Sequence, residues 1–401
     1  MGLHAVKIAV IGAGIGGLAV AQALARRGAD VTVLEQAPEI AEVGAGLQIS
    51  PNGAMVLDAL GLGAQMRARA VTAHAVQLCD YRGGEVLRLN VGETGQGGYH
   101  FLHRADLIDL LADGARAAGV RIRLLQKVTG VTGGTRPHVD LANGAGFEAD
   151  LVIGADGLHS VVRAALNGAA APFFTRQVAW RALIPNTSGR AQEVRVHMGP
   201  LRHVVSYPLR EGRLLNLVAV QERAAWTAES WSQKDDPQAL RAAFGDFCGE
   251  VQHMLGAVET VNLWGLFRHE VARVWHRDGL AILGDAAHPT LPFMAQGACM
   301  ALEDAWILAA SLDHAGDVDT GLARYQALRE ARVRRVVAAA SGNAWKYHLT
   351  FPPLRWAAHT ALRAGARLVP GRMIRQFDWI YGYDAVRAAA PQISRSTQTG
   401  T

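Results

Sequence analysis

The sequence predicts an α/β fold: a parallel sheet whose chain is interrupted by a mainly β insertion and followed by a helical C-terminal segment. Three observations carry this. Residues 6–35 read as strand, glycine turn, helix and strand. Two further buried apolar runs, 151–154 and 280–283, each lead into a turn holding Gly and Asp. Between these runs lie stretches with period-two alternation, the pattern of half-buried strands. With 401 residues, half of them apolar, the chain has ample material for a large core.

The first unit, VKIAVIGAGIGGLAVAQALARRGADVTVLE, turns at Gly12, Gly14 and Gly17 between a β-branched run and an alanine-rich and leucine-rich helix. The G-x-G-x-x-G spacing has a physical reason. Gly12 permits the tight turn, Gly14 lets the backbone approach a pyrophosphate at the helix N-terminus, and Gly17 permits close helix–strand packing. Glu35, at the end of the second strand, stands where an acid takes the ribose hydroxyls of an adenosine. An unrelated glycine turn would explain the glycines and leave Glu35 idle, so a Rossmann-like dinucleotide site is the reading. These residues alone leave FAD and NAD open.

The second unit runs from LVIG into Ala155-Asp156-Gly157, then Ser160 and Arg163. The third, AILGD, ends at Gly284-Asp285, with a helix expected to begin near Gln296-Gly297 and to carry Met300, Leu302, Ala305, Ile307 and Leu308. In this order the three units resemble the group A flavoprotein aromatic hydroxylases, the single-component FAD monooxygenases related to para-hydroxybenzoate hydroxylase, over nearly the whole chain. The resemblance implies a Rossmann-like FAD-binding domain. Its N-terminal glycines hold FAD, Gly154 to Gly157 form a motif shared by FAD and NAD(P)H, and Asp285 holds the flavin ribitol. Arg104, in HRADL, falls near the pyrophosphate and ribityl chain. Further FAD contacts are expected at Gln36, Ala45, Val128, Gly297 and Ala298, the last two at a helix N-terminus that favours negative charge on the reduced ring. No second Rossmann fingerprint is present, which fits NADH or NADPH as a transient co-substrate. The phrases MAQGACMALEDA and DWIYGYDA are closest in spelling to 3-hydroxybenzoate 6-hydroxylase and 6-hydroxynicotinate 3-monooxygenase, with salicylate hydroxylase more distant. Phe293, where the hydroxypyridine enzymes tend to carry His, lowers the pyridine reading.

The motif positions require a discontinuous FAD domain, 1–72, 100–172 and 271–340. Alternating segments place a β-sheet substrate domain at 73–99 and 173–270. Residues 341–390 form a C-terminal helical cap and 391–401 a flexible polar tail. Basic and aromatic residues mix over 344–376; an amphipathic cap packed on the flavin domain is preferred to a membrane-surface helix.

In HVVSYP, residues 203–208, alternation puts His203, Val205 and Tyr207 on one face of a strand. A single strand histidine is ordinarily structural, but the resemblance matches His203 and Tyr207 to an active-site His and Tyr. The chemistry expected of such enzymes is attack of a hydroxylated ring on an electrophilic flavin C4a-hydroperoxide. Phenolate attacks far better than phenol, so a base near the substrate hydroxyl is needed, and His203 is that base. Tyr207 would bond a substrate carboxylate or hydroxyl, and Gln296 would orient the hydroxyl. Phe293 and Met294 would form an apolar wall that excludes water. Gln48, over the flavin ring, and Arg181 complete the expected pocket. Asp285 and His288 could be read as a hydrolase dyad or as metal ligands; the resemblance gives Asp285 to FAD and leaves His288 to position its loop.

Composition narrows the rest. Forty Lys and Arg against 35 Asp and Glu give a net charge of +5, with no dense basic run to suggest a nucleic-acid groove. Cys79, Cys248 and Cys299 have no paired spacing, so neither a disulfide framework nor a zinc site is expected, and a cytoplasmic setting is. No apolar run approaches the ~20 residues of a membrane span. The expected function is hydroxylation of a small hydroxylated aromatic acid by a monomer or homodimer using FAD, NAD(P)H and O2. The competing readings are a related monooxygenase acting on a larger quinone, quinoline or secondary metabolite, and a non-catalytic FAD-binding or electron-transfer protein.

Overall fold

The computed structural model describes residues 3–40, 45–93, 97–187, 189, 191–224 and 234–391, so the tail expected at 391–401 lies outside the described residues beyond Pro391. Lys7–Ile11, Asp30–Leu34, Leu151–Gly154 and Leu280–Ile282 lie parallel in a six-stranded sheet, joined by Arg121–Arg123 on one edge and the antiparallel pair member His276–Arg277 on the other. Apart from Lys7, Asp30 and Thr32 the four parallel strands at its centre are apolar, and helices Ile15–Ala25, Arg104–Ala117 and Gly297–Asp313 and the small sheet Val128–Thr132, His138–Leu141, Gly146–Glu148 cover them. From Lys7–Ile11 the order runs to Asp30–Leu34 on one side and to Leu151–Gly154 on the other. The strand ends therefore flank a point where the order reverses, the place where an open α/β sheet forms a crevice.

Eight strands form the second large sheet, in the order 234–235, 261–268, 173–185, 214–222, 202–209, 193–199, 75–80 and 85–90. All neighbours are antiparallel except Glu193–Gly199 and Ala75–Asp80. One face buries Val204, Leu215 and Leu217 against Phe244 and Val251, which come from or next to helices Pro237–Ala243 and Gly249–Gly256. The other face carries Val76, Leu78, Val205 and Val218 toward a cavity. Alternation in these strands thus separates a packed side from a functional side.

The C-terminal region departs from expectation in two ways. Helix Val318–Tyr347, capped by Asp317 accepting from the Thr320 amide, runs unbroken through residue 340. Beyond it, helix Pro352–Leu368 does not pack on the flavin side. It lies along strand Glu85–Asn90, with Arg363 Nε donating to the Glu85 carbonyl at 3.0 Å and His359 Nδ1 3.3 Å from Asp80 Oδ2. The physical reason is that Glu85–Asn90 is the last strand of its sheet, and a helix laid over it protects the exposed edge. Of this segment, Ala385 and Ala389 reach the first sheet's core.

Candidate active site

A cavity of about 450 Å³ separates the two large sheets. Its first wall is built by the turns at the reversal point: Gly14, Ala155, Gly157, Gly284, Asp285, Gly297 and Ala298, together with Arg104. Gly12 adopts φ +98°, a conformation that favours glycine, and a Cβ on Gly17 would stand 2.0 Å from the Gly12 carbonyl oxygen. By contrast a Cβ on Gly14 meets nothing within 4 Å, so the backbone there is open to approach. Glu35 closes the turn from outside: its carboxylate accepts from the Ala13 amide at 2.7 Å and the Ala37 amide at 2.8 Å.

Other expected cofactor residues sit around this frame without lining the cavity. Gln36 is exposed beside Glu35, and Val128 opens its strand two residues past Gln126, whose amide bonds the Glu35 carbonyl. Buried Ala45 accepts from the Arg104 amide at 2.9 Å, fixing the start of the Arg104 helix. Asp156 accepts from the Val161 amide through Oδ2, while its buried Oδ1 has no partner; burial pushes this carboxyl above its ordinary value, with Ser160 opposing. Asp285 is exposed to the cavity, with protein packed around its other sides. Burial raises its carboxyl above the ordinary range, and His288 and Arg104 pull it back.

The second wall comes from the eight-stranded sheet and the segment before Gly297. His203, Val205 and Tyr207 face the cavity together, as alternation requires, with Arg181, Gln48, Phe293 and Met294 on the same compartment. Tyr207 is buried against Phe101, with ring centroids 5.2 Å apart, and Gly46 leaves room for its hydroxyl. Burial raises the Tyr207 phenol, so it is a neutral donor at ordinary pH. The Tyr99 hydroxyl donates to Gln48 Oε1 at 2.6 Å, which orients that amide, and the Arg181 guanidinium lies over Trp264 at 4.4 Å. His203 is also fully enclosed; burial first, and His348 second, hold its imidazole well below its ordinary value. Apolar residues at period two, Val76 with Leu78, Leu87 with Leu89 and Val194 with Val196, line the remainder.

Sequence comparison gives the family. A profile described as an FAD binding domain matches residues 5–340. The chain belongs to the FAD-dependent monooxygenases. A 3-amino-4-hydroxybenzoate 2-monooxygenase of Streptomyces platensis is 36% identical over 395 residues, covering 94% of this chain and 96% of the relative. A 3-hydroxybenzoate 6-hydroxylase of Klebsiella oxytoca is 33% identical over 393 residues, covering 93% and 96%. Among solved structures, a salicylate hydroxylase substrate complex shares the fold, with a TM-score of 0.82 at 23% identity over 97% of this chain and 99% of that one. HpxO of Klebsiella pneumoniae, solved with FAD and uric acid, is 27% identical with a TM-score of 0.80, covering 91% and 95%.

The geometry of this monooxygenase suits FAD on its own terms. The open Gly14 backbone, the N-termini of helices Ile15–Ala25 and Gly297–Asp313, and the carboxyl of Asp285 all converge on one wall. Gly12, Gly14, Gly17 and Glu35 would hold the diphosphate and adenosine end, Arg104 and Asp285 the ribityl chain, and Gly297 and Ala298 the ring.

One expected residue of the monooxygenase is displaced. Gln296 does not face the cavity; its Nε2 donates to Ser50 Oγ at 2.9 Å and its Oε1 accepts from Asn52 Nδ2 at 3.0 Å. The amide is consumed in a buried network, so it cannot orient a substrate hydroxyl from this position. His288 likewise turns inward, 2.5 Å from Asp304 Oδ2, which leaves Asp285 and His288 on separate tasks. Sequence reading missed Tyr99, Trp264, Asn343, Tyr347 and Tyr381 on the cavity wall. Trp264 carried a usable signal, since it sits in a strand-like run; the tyrosines of 347 and 381 reach the site only through helix packing.

Proposed function

We propose that this monooxygenase hydroxylates a small hydroxylated aromatic acid, taking electrons from NADH or NADPH as a transient reductant. The observation that carries the reading is the joint projection of His203, Tyr207 and Arg181, among rows of valine and leucine, into the compartment opposite the FAD wall. Arg181 offers a positive charge for a carboxylate, Tyr207 a neutral donor, and His203 an imidazole within an enclosed space. FAD supplies the reduction of dioxygen and the transfer of one oxygen atom to the ring. The protein's own work is to bind and orient the ring, to take the proton from its hydroxyl at His203, and to exclude water with Phe293, Met294 and the valine and leucine rows.

Size admits a single ring. A cavity of about 450 Å³ has room for a one-ring acid beside part of the flavin. The names of the curated relatives, hydroxybenzoate and aminohydroxybenzoate monooxygenases, support the same class. We read residues 1–72, 100–172 and 271–340 as the FAD domain, 73–99 and 173–270 as the substrate domain and 341–390 as a cap whose first residues, to Tyr347, continue the helix begun at Val318. Among the described residues no helix is long and apolar enough to cross a membrane; we place the enzyme in the cytoplasm as a monomer or homodimer.

The test is a panel of 3-hydroxybenzoate, 3-amino-4-hydroxybenzoate, salicylate, hydroxynicotinates and quinolones, scored for hydroxylated product as well as NAD(P)H oxidation. A one-ring hydroxylated acid should give coupled turnover. If no aromatic accelerates NAD(P)H oxidation, the electron-transfer reading takes its place. His203→Ala should retain FAD and lose about 100-fold in hydroxylation, the lower end of what a positioned base contributes; unchanged coupled turnover removes the role.

A further inference from the structure

His203 is the first member of a hydrogen-bonded chain that leads away from the cavity. Its Nδ1 lies 2.7 Å from Nε2 of His348, and Nδ1 of His348 lies 2.7 Å from Oε1 of Glu222. The imidazoles are buried, each about 1% exposed, whereas the Glu222 side chain is 36% exposed. Three separate elements supply the members: strand Arg202–Leu209, the end of strand Leu214–Glu222, and the residue just past helix Val318–Tyr347. Backbone bonds fix them in place. The Leu201 amide donates to the His348 carbonyl at 3.2 Å, and the Glu222 amide donates to the Leu201 carbonyl at 2.8 Å.

The chain has one consistent direction when both rings are neutral. An ionised carboxylate only accepts, so Glu222 takes the hydrogen on Nδ1 of His348. Nε2 of His348 is then an acceptor and takes the hydrogen on Nδ1 of His203. Nε2 of His203 is left with its lone pair, on a residue that lines the cavity. Phe293 and Tyr347, with ring centroids 5.3 Å from that of His203, hold the imidazole in this orientation. The carboxylate thus selects the tautomer of a ring two bonds away.

We infer that His203, His348 and Glu222 form a proton relay that carries the hydroxyl proton of a bound phenolic substrate out of the closed cavity to solvent. The inference rests on the hydroxylation reading above. The substrate O–H bond breaks as Nε2 of His203 gains the proton. Nδ1 of His203 passes its proton to Nε2 of His348, and Nδ1 of His348 passes its own to the Glu222 carboxylate, which exchanges with water. Net charge on both rings is unchanged, and the phenolate stays in the cavity. Run backwards, the chain restores both tautomers when the product oxygen regains a proton.

A relay answers a difficulty that a solitary base would face. Burial, with His348 adding to it, holds the His203 imidazole well below its ordinary value. Burial depresses His348 too, although Glu222 opposes the effect. Neither ring is a place to leave a proton, and the Glu222 carboxylate, which touches both His348 and water, gives it a way out.

The relay is tested with the FAD-loaded enzyme and 3-hydroxy-4-nitrobenzoate, whose phenolate absorbs in the visible, by stopped-flow pH jump. Glu222→Gln keeps the side chain's shape and removes its proton affinity; His348→Ala interrupts the chain. Each should slow phenolate formation about 10-fold or more, with probe affinity changed by less than about threefold, and added imidazole should restore the rate in His348→Ala. Unslowed phenolate formation in both variants, or slowing in His348→Ala that imidazole fails to relieve, overturns the relay. Nitrogen-15 histidine spectra of the ligand-free enzyme give a second readout. Both rings should carry hydrogen on Nδ1, and Glu222→Gln should shift His348 away from that tautomer. A His203 ring protonated on Nε2 overturns the relay. If the tautomers are as expected and no hydroxybenzoate binds, the relay is supported and the substrate class is what fails.

Discussion

Arg329→Met tests the charge cluster beneath the Gly284 turn. The Arg329 side chain is fully buried, with Nη1 2.5 Å from Glu303 Oε2 and Nε 2.6 Å from Asp304 Oδ1. Asp304 in turn accepts from the Gly284 amide at 3.0 Å and meets His288 Nε2 at 2.5 Å. Methionine fills much of the space and removes the charge. Glu303 keeps Arg332, at 2.7 Å, but Asp304 is left with only the His288 imidazole and the Gly284 amide among these groups. Removing one member of a buried ion cluster costs about 3–5 kcal/mol, because the remaining carboxylate stays buried without full compensation. Urea unfolding of the FAD-free protein, followed by tryptophan fluorescence, should show that loss at pH 7. A change under about 1 kcal/mol would refute the reasoning, because it would mean that the cluster is energetically neutral to fracture.

The same variant has a pH signature and a cofactor signature. Burial would raise the Asp304 carboxyl, but His288 and Arg329 outweigh it and hold the group below its ordinary value. A lowered folded-state pKa contributes stability that is present above the unfolded value, roughly pH 4, and is lost as pH falls below it. Without Arg329 that contribution shrinks, so the wild-type and variant stability curves should converge on acidification. The charged hydrogen bond to the Gly284 amide also weakens toward a neutral one, a difference of about 1 kcal/mol. FAD affinity should then fall about fivefold.

Two further substitutions separate cofactor from substrate effects. Gly17→Ala drives a Cβ to 2.0 Å from the Gly12 carbonyl oxygen and should destabilise the fold by about 1–3 kcal/mol, whereas Gly14→Ala meets nothing within 4 Å and should leave apoprotein stability unchanged. Calorimetric FAD titration should still show roughly 10-fold weaker binding for Gly14→Ala, and equal affinity would show that the diphosphate does not approach there. Tyr207→Phe retains the packing on Phe101 and removes one neutral donor, so KM for the aromatic acid should rise about fivefold with FAD binding unaffected. An unchanged KM would take the phenol out of substrate binding.

The sequence made visible what is set locally. The glycine turn, the apolar strands feeding it and the acid at the end of the second strand all act within one βαβ unit, and period-two alternation placed His203, Val205 and Tyr207 on one face because the strand pleat leaves no other choice. Contacts between distant segments were not legible. His348 lies 145 residues from His203 and 126 from Glu222, and nothing in its local sequence marks it as a partner of either. Gln296 failed for a related reason. Its position before a helix was correct, but the side chain's direction is decided by Ser50 and Asn52, some 245 residues earlier. Helix Pro352–Leu368 was legible as amphipathic, yet which surface it would cover depended on which sheet edge was left open.

Gln296 and the Asp304 cluster are parts of one structure. Asn52 Nδ2 donates both to Gln296 Oε1, at 3.0 Å, and to Glu303 Oε1, at 2.6 Å, while Glu303 shares Arg329 with Asp304. A continuous buried network therefore runs from the amide beneath Met294, on the substrate wall, to the Gly284 amide on the cofactor wall. In such a network each member fixes the next, because any unpaired group would cost the full desolvation of a buried polar atom. The acid and histidine of GDAAH are separated by this logic. The turn at Gly284–Ala286 sends Asp285 into the cavity and the chain beyond it sends His288 to Asp304, so one residue faces the cavity and the other anchors the loop that presents it. The Gly284 turn and the segment before Gly297 are thus tied to one another through the same buried charges.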